Sequence, residues 1–345
     1  EDPLRGLRVA QLAARLEMTP DQELVALCRS LDLSELSGER VFDEFEKLLL
    51  RAAKPAIGFR VLEDTGQLRF FPELDTLRGV PQDPEWHPEG DVWVHTLMVL
   101  DVAASLRVGA VVPGAHGPDR TAPSRTAAVA ASDAGDRGLH GTTPSAKGAG
   151  RLAGNDDEDL ALMLGALCHD LGKPATTERV DGRIRSYRHD VEGVASTRAL
   201  LERMRTPGAL VDKVATLVEH HLAPALFIRN GTTAKGYRRL ARKLERAGLS
   251  MELLVRVARA DHLGRTTADA VAGRFDAGDA FLAAARAHSV EHIAPRDAVL
   301  GRHLIERGMQ PGPGFAPILE RCREIQDETG WTDPERILDR ALADR

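Results

Sequence analysis

Apolar residues recur at helical spacing along almost the whole chain. Leu4, Leu7, Ala10, Leu12 and Leu16 mark a first helix in "EDPLRGLRVAQLAARL". The pattern restarts after Thr19 and Pro20 in "TPDQELVALCRSL", where Asp21 and Glu23 favour a first helical turn. A third helix follows Gly38 in "ERVFDEFEKLLLRA" and stops at Pro55; a fourth, "AIGFRVLEDTG", is closed by Gly66. Alternating strand patterns are absent, so the expected fold is all-α, in two or three helical subdomains.

From residue 108 to 155 the periodicity stops. "GAHGPDRTAPSRTAAVAASDAGDRGLHGTTPSAKGAG" has too few large apolar side chains to offset its ordering entropy and reads as a disordered insertion, with His116 and His140 inside it and no role assigned to either.

Polar residues interrupt the apolar helices at five places. His95 sits inside the apolar stretch "EWHPEGDVWVHTLMVLDVAASL". The segment "DEDLALMLGALCHDLGKP" is apolar enough for a buried helix and delivers His169 and Asp170 at its end, before Gly172 and Pro174 break it. A buried aspartate is costly unless it is paired or metal-bound. His189 opens an amphipathic helix in "RSYRHDVEGVASTRALLERM", His220 and His221 close another in "DKVATLVEHHLAP", and Asp261 ends a third in "ELLVRVARADHLGR". One such histidine is an ordinary core residue. Five interruptions in the order His, His-Asp, His, His-His, Asp point instead to imidazole and carboxylate ligands for a divalent transition ion or magnesium (Ni, Mn, Mg, Fe or Co). A P-loop is excluded, because the spacing from Gly165 to Gly172 is wrong and Pro174 follows Lys173. His262, His288 and His292 receive no role.

The chain has 345 residues, 43% hydrophobic and 28% charged, with a formal net charge of −6. That charge gives no global pull toward nucleic acid, so any RNA contact must come from a local basic face. One candidate is "AKGYRRLARKLERAG", with Lys235, Arg238, Arg239, Arg242 and Lys243; the plainer reading is a solvated helix face. Cys28, Cys168 and Cys322 are too few and scattered for a disulfide framework, which suggests a reducing cytoplasm. No signal peptide and no spanning apolar run is found, so no membrane partner is expected.

His95, His169–Asp170 and Asp261 resemble the metal-holding pattern of the HD phosphohydrolase superfamily, an all-helical fold. That resemblance implies one ion on these four residues and, in two-metal members, a second on His189 and either His220 or His221. Both alternatives stay open. "EDPLRGLRVAQLAARLEMTP", "FFPELDTLRGVPQDPEWHPEGDVWVHTLMVLD", "HDLGKPATTE" and "HLIERGMQPGPGFAPILERCREIQ" are similar to bacterial CCA-adding tRNA nucleotidyltransferases that carry an HD domain. The similarity covers nearly the whole chain outside the insertion. It implies a neck and body over 1–80, an HD domain over 81–107 and 156–270, and a helical tail over 271–345.

In that family the ED-x-x-R motif selects the incoming nucleotide, a role that falls on Asp2 and Arg5, with Glu1 in support. The catalytic head precedes the motif and is not in this sequence, so the chain alone is expected not to polymerise CCA. It is either a portion of a full enzyme or a headless hydrolase. The family implies 2′,3′-cyclic phosphates, 2′-phosphates and nucleotides as substrates, including RNA ends; the superfamily adds nucleoside triphosphates, alarmones and cyclic dinucleotides. Asp170 is expected to bridge ion and attacking water, with Lys173 and Arg265 neutralising phosphoryl charge. The alternative function is a tRNA-binding body whose HD residues are structural. Two positions depart from the family pattern: Gln11 stands where an arginine is common, and His303 where the tail is usually acidic.

Overall fold

The computed structural model describes residues 2–108 and 154–343, so the expected insertion lies almost wholly outside the described residues. Helices α1 (Leu4–Leu16), α2 (Gln22–Arg29), α3 (Gly38–Arg51) and α4 (Pro55–Asp64) open the chain, followed by a 3-10 turn (Gln67–Phe70) and short α5 (Pro72–Asp75). Asp21 caps α2 as its first-turn chemistry predicts, accepting from Leu24 N at 2.8 Å. The buried stripe of α1 is Leu4, Leu7, Ala10 and Ala14; Leu12 and Leu16 face solvent, because at about 100° per residue they fall off that stripe. Close approach of α4 to its neighbours depends on Gly58, where a Cβ would lie 2.5 Å from Leu48 Cδ1 and 2.8 Å from Ala10 O.

The central helices are α6 (Val92–Ser105), α7 (Gly154–Cys168), α9 (His189–Arg203), α10 (Gly208–His220) and α13 (Met251–Leu263), with short α8 (Lys173–Thr176) leading into a hairpin. The last turns of α7 bury every side chain from Leu160 to Leu167, Gly165 included, as its unbroken apolar run requires. The end of α6 is held directly to the start of α7: Arg256 donates to Leu106 O at 2.7 Å and to Asp159 Oδ1 at 2.7 Å, and Val108 N donates to the same oxygen at 2.9 Å.

Two short strands, β1 (Thr177–Val180) and β2 (Arg183–Ser186), pair antiparallel with Thr177 opposite Ser186 and Val180 opposite Arg183. The all-α expectation holds for the framework and misses this hairpin. Its signal is Asp181–Gly182, both at positive φ (50° and 77°), the backbone a two-residue hairpin turn demands.

Helices α11 (Ala223–Arg229), α12 (Ala234–Arg246) and α15 (Asp276–Ala287) complete the main core, which runs without a break in packing from Leu4 to Ala294; short α14 (Ala268–Val271) follows α13 outside it. A second, smaller core of Val299, Leu304, Ile318, Cys322, Ile325, Ile337, Leu338 and Ala341 forms from α16 (Gly301–Glu306), α17 (Phe315–Thr329) and α18 (Pro334–Ala343). The three cysteines are free and buried. No helix among the described residues is long and apolar enough to cross a membrane.

Candidate metal centre

Five helix segments bring the polar interruptions together. His95 lies in the first turn of α6, His169 and Asp170 follow the end of α7, His189 opens α9, His221 caps α10, and Asp261 lies in the last turn of α13. His95 Nε2 is 3.1 Å from Asp261 Oδ1, His169 Nε2 is 3.1 Å from Asp170 Oδ2 and 4.0 Å from Asp261 Oδ1, and His189 Nε2 is 3.4 Å from Asp170 Oδ1. Among the described residues three three-residue groups have ligand atoms close enough to share an ion, His87–Glu89–His95, His95–His169–Asp170 and Asp170–His189–His221; His95 links the first two and Asp170 the last two. Of the two adjacent histidines left open by the sequence, His221 is therefore the one in the cluster. His220 lies beside Glu219 at 3.7 Å and joins none of these groups.

The backbone fixes which nitrogen each ring presents. His169 Nδ1 is 2.8 Å from Ala166 O, His189 Nδ1 is 2.8 Å from Ser186 O, and His221 Nδ1 is 2.7 Å from Val218 O, each a carbonyl three residues earlier. A carbonyl only accepts, so Nδ1 carries a hydrogen, and in the neutral ring Nε2 holds the lone pair. The Nε2 atoms of His169 and His221 are buried and make no hydrogen bond. Bare lone pairs gathered around a carboxylate repel one another unless a proton or a cation lies among them, and in this the donor set fits a divalent ion.

The electrostatics agree. Burial alone would raise the Asp170 carboxyl, yet His169 and Lys173 hold it well below the usual range; against the same burial, Arg265 does so for Asp261. Burial disfavours charge on His169, but Asp170 overrides it and raises its pKa. Burial pushes His221 down to about 3, so it stays a neutral donor, and lowers His189 as well.

Lys173 is buried; its Nζ is 2.8 Å from Asp170 Oδ2 and donates to Gln82 Oε1 at 2.6 Å. Arg265 Nη2 donates to Asp261 at 3.2 Å, and Asp261 keeps the guanidinium's pKa raised against the effect of burial.

Sequence reasoning missed Glu89 and His87. The Glu89 side chain is buried, and its Oε1 is 2.8 Å from His95 Nδ1 and 2.9 Å from His87 Nδ1, while Oε2 accepts from Thr266 N at 3.2 Å. One carboxylate thus orients His95 with Nε2 toward Asp261 and ties the His95 helix to the loop carrying Arg265. Both residues lie in a loop without periodicity, so no pattern singled them out.

Other expected residues are placed elsewhere. Glu1 lies outside the described residues. Asp2 accepts from Leu4 N at 3.2 Å and from Arg40 Nη2 at 2.7 Å, which together lower its pKa despite some desolvation; Arg5 is exposed on α1. The basic series on α12 is not a free face for phosphates. Lys235 pairs with Glu328, Arg238 donates to Asp327 O at 2.9 Å, Arg242 binds Asp327 at 3.0 Å and Asp297 at 2.6 Å, and Lys243 pairs with Glu219 at 3.5 Å; only Arg239 makes no such contact among the described residues. Most of the series joins α12 to α17 and the segment before it. His303 Nδ1 accepts from Leu300 N at 3.0 Å, a capping contact that a carboxylate would also make, and Gln11 is buried with Nε2 unpartnered.

Comparison with known proteins adds the family. Residues 142–265 match the HD domain, and residues 21–77 match the probable RNA and SrmB-binding site of polymerase A. The Multifunctional CCA protein of Pasteurella multocida (strain Pm70) is 34% identical over 278 residues, covering 77% of this chain and 54% of that protein. The chain is an HD-domain protein related to the CCA-adding enzymes. It spans about half the length of that relative.

Proposed function

We propose that the chain is a metal-dependent phosphohydrolase acting on 2′,3′-cyclic phosphates, 2′-phosphates or nucleotides, RNA ends among them. The carrying observation is the convergence of His169, His189 and His221 on Asp170, each with Nδ1 committed to a backbone carbonyl. His95, His169, Asp170 and Asp261 would hold one divalent ion, and His189 and His221 a second beside the shared Asp170. A bound ion supplies Lewis acidity and lowers the pKa of water toward neutrality. Asp170 orients the attacking water, and Lys173 and Arg265 place positive charge against the phosphoryl oxygens. Lys173 and Arg265 both border a cavity of about 650 Å³ that gives substrate a route to the cluster.

Residues 1–80 serve in this reading as a body that presents RNA to residues 81–107 and 156–270, with 271–345 as a tail. The match of residues 21–77 to an RNA-binding site supports tRNA as the partner. Selection of a nucleotide by Asp2 and Arg5, with Glu1, requires the nucleotidyltransferase activity of a complete relative and is proposed for that context alone.

The test is phosphate release or ring opening of 2′,3′-cyclic AMP with nickel, manganese or magnesium. The wild-type chain turns over with at least one ion and Asp170→Ala loses activity; equal activity in the variant would overturn the assignment. Salt-dependent tRNA binding without any turnover would favour the binding body instead.

A further inference from the structure

The cavity beside the metal cluster is also bordered by two large aromatic side chains that stand exposed among the described residues. Trp86 is 54% exposed and Tyr187 is 53% exposed, and both border it, on different elements. Isolated exposed rings are ordinary, but these two are held in place. Arg183 of the hairpin donates to Asp83 Oδ2 at 3.0 Å and pairs with Glu85, which ties β2 to the loop that carries Trp86. Arg185 bonds the Tyr187 hydroxyl and lies 5.6 Å from its ring centroid.

Tyr187 is also fixed from the side of the metal cluster. Arg188 takes a left-handed conformation, φ 59°, a strained choice for a non-glycine residue, and links Tyr187 directly to His189. Because His189 Nδ1 is bound back to Ser186 O, the aromatic ring and the candidate ligand belong to one rigid turn.

The charges around the cavity have one sign to spare. Arg185, Arg229 and Arg274 border it and form no ion pair with a carboxylate among the described residues. Two of the carboxylates at the same rim are already engaged, Asp83 by Arg183 and Asp269 by Thr267 and His262; Asp276 is the third. Leu222, Leu226 and Phe275 supply an apolar wall.

We propose that this rim is a nucleobase subsite: a nucleotide with its phosphoester at Lys173 and Arg265 stacks its base on Tyr187 or Trp86, with further phosphates neutralised by Arg229 and Arg274. It rests on the phosphohydrolase reading for the position of the phosphoester. Flat π-faces with unpaired guanidinium groups suit a nucleotide better than a sugar phosphate, which offers nothing to stack. Stacking accepts any base, so the subsite selects nucleotides as a class and not one base over another.

The test compares adenosine 2′-phosphorothioate with ribose 2-phosphorothioate, both slowly hydrolysed, by calorimetric titration of the manganese-loaded full chain. The nucleotide is expected to bind roughly 5- to 100-fold more tightly. Tyr187→Ala and Trp86→Ala, both at exposed positions, reduce that preference and leave ribose phosphorothioate binding unchanged, while Tyr187→Phe retains it. Equal binding of the two probes, or variants that weaken both equally, overturns the subsite. Turnover of 2′,3′-cyclic AMP is measured on the same wild-type sample. Base-dependent binding without turnover refutes the hydrolase reading and supports the subsite; turnover without base-dependent binding does the reverse.

Discussion

Gly172 is where packing and the candidate site meet, and Gly172→Ala tests the connection. Its backbone is ordinary right-handed helical, φ −84° and ψ −18°, so conformational freedom is not why a glycine stands there. A Cβ would lie 2.1 Å from His189 O and 2.6 Å from Gly193 N, the two atoms that bound the first hydrogen-bonded turn of α9. Ordinary contact begins near 3.4 Å, so the turn must retreat by roughly 1 Å. Overpacking of that kind costs about 1–3 kcal/mol and a disrupted helical hydrogen bond about 1 more, together about 2–4 kcal/mol. The displaced residue is His189, so the affinity for manganese should fall roughly tenfold as well. Urea denaturation and manganese titration read the two effects. Gly208→Ala is the control, because its Cβ meets nothing within 4 Å, and it should change stability by less than about 0.5 kcal/mol. If Gly172→Ala denatures with Gly208→Ala and binds manganese like wild type, the steric account of this crossing is wrong.

His221→Ala should lose at least about tenfold in metal affinity while His220→Ala changes it little, as titration of the two would show; the reverse order would move the ligand to the neighbouring residue. Glu89→Gln keeps the shape but cannot accept both imidazole hydrogens and the Thr266 amide, so His95 should show mixed tautomers in histidine-selective nitrogen NMR, with metal affinity down by about tenfold. An unchanged tautomer and affinity would leave Glu89 without a positioning role. In the metal-free protein His169 titrates above its ordinary value of 6.5, and an entering ion must displace that proton. Affinity should therefore be flat above the raised pKa and fall about tenfold per pH unit below it, with one proton released per ion; a pH-independent titration would contradict this. His221, at about 3, adds no competition near neutrality.

The helical framework was legible because each buried face repeats at helical spacing, and the converging polar series because polar residues at the ends of apolar helices are expensive without a partner. Its failures have particular causes. Leu12 and Leu16 matched the spacing loosely but point to solvent. His220 and His221 differ by one position at a helix end, where only the three-dimensional course of the chain decides which ring turns inward. The hairpin strands are four residues each, too short for alternation to register, although Asp181–Gly182 marked the turn. Glu89 acts through contacts 6 and 177 positions away in sequence, which no local pattern reveals. The basic residues of α12 looked like a surface face because their acidic partners, Asp297, Asp327 and Glu328, come from a distant segment.

Calorimetric titration of manganese into the metal-free full chain and its Asp170→Ala variant tests the metal centre most directly. Since Asp170 belongs to two of the ligand groups, saturable binding to wild type is expected, weakened at least roughly 100-fold, or lost, in a variant that still unfolds cooperatively. Equal stoichiometry and affinity in the two proteins would contradict it.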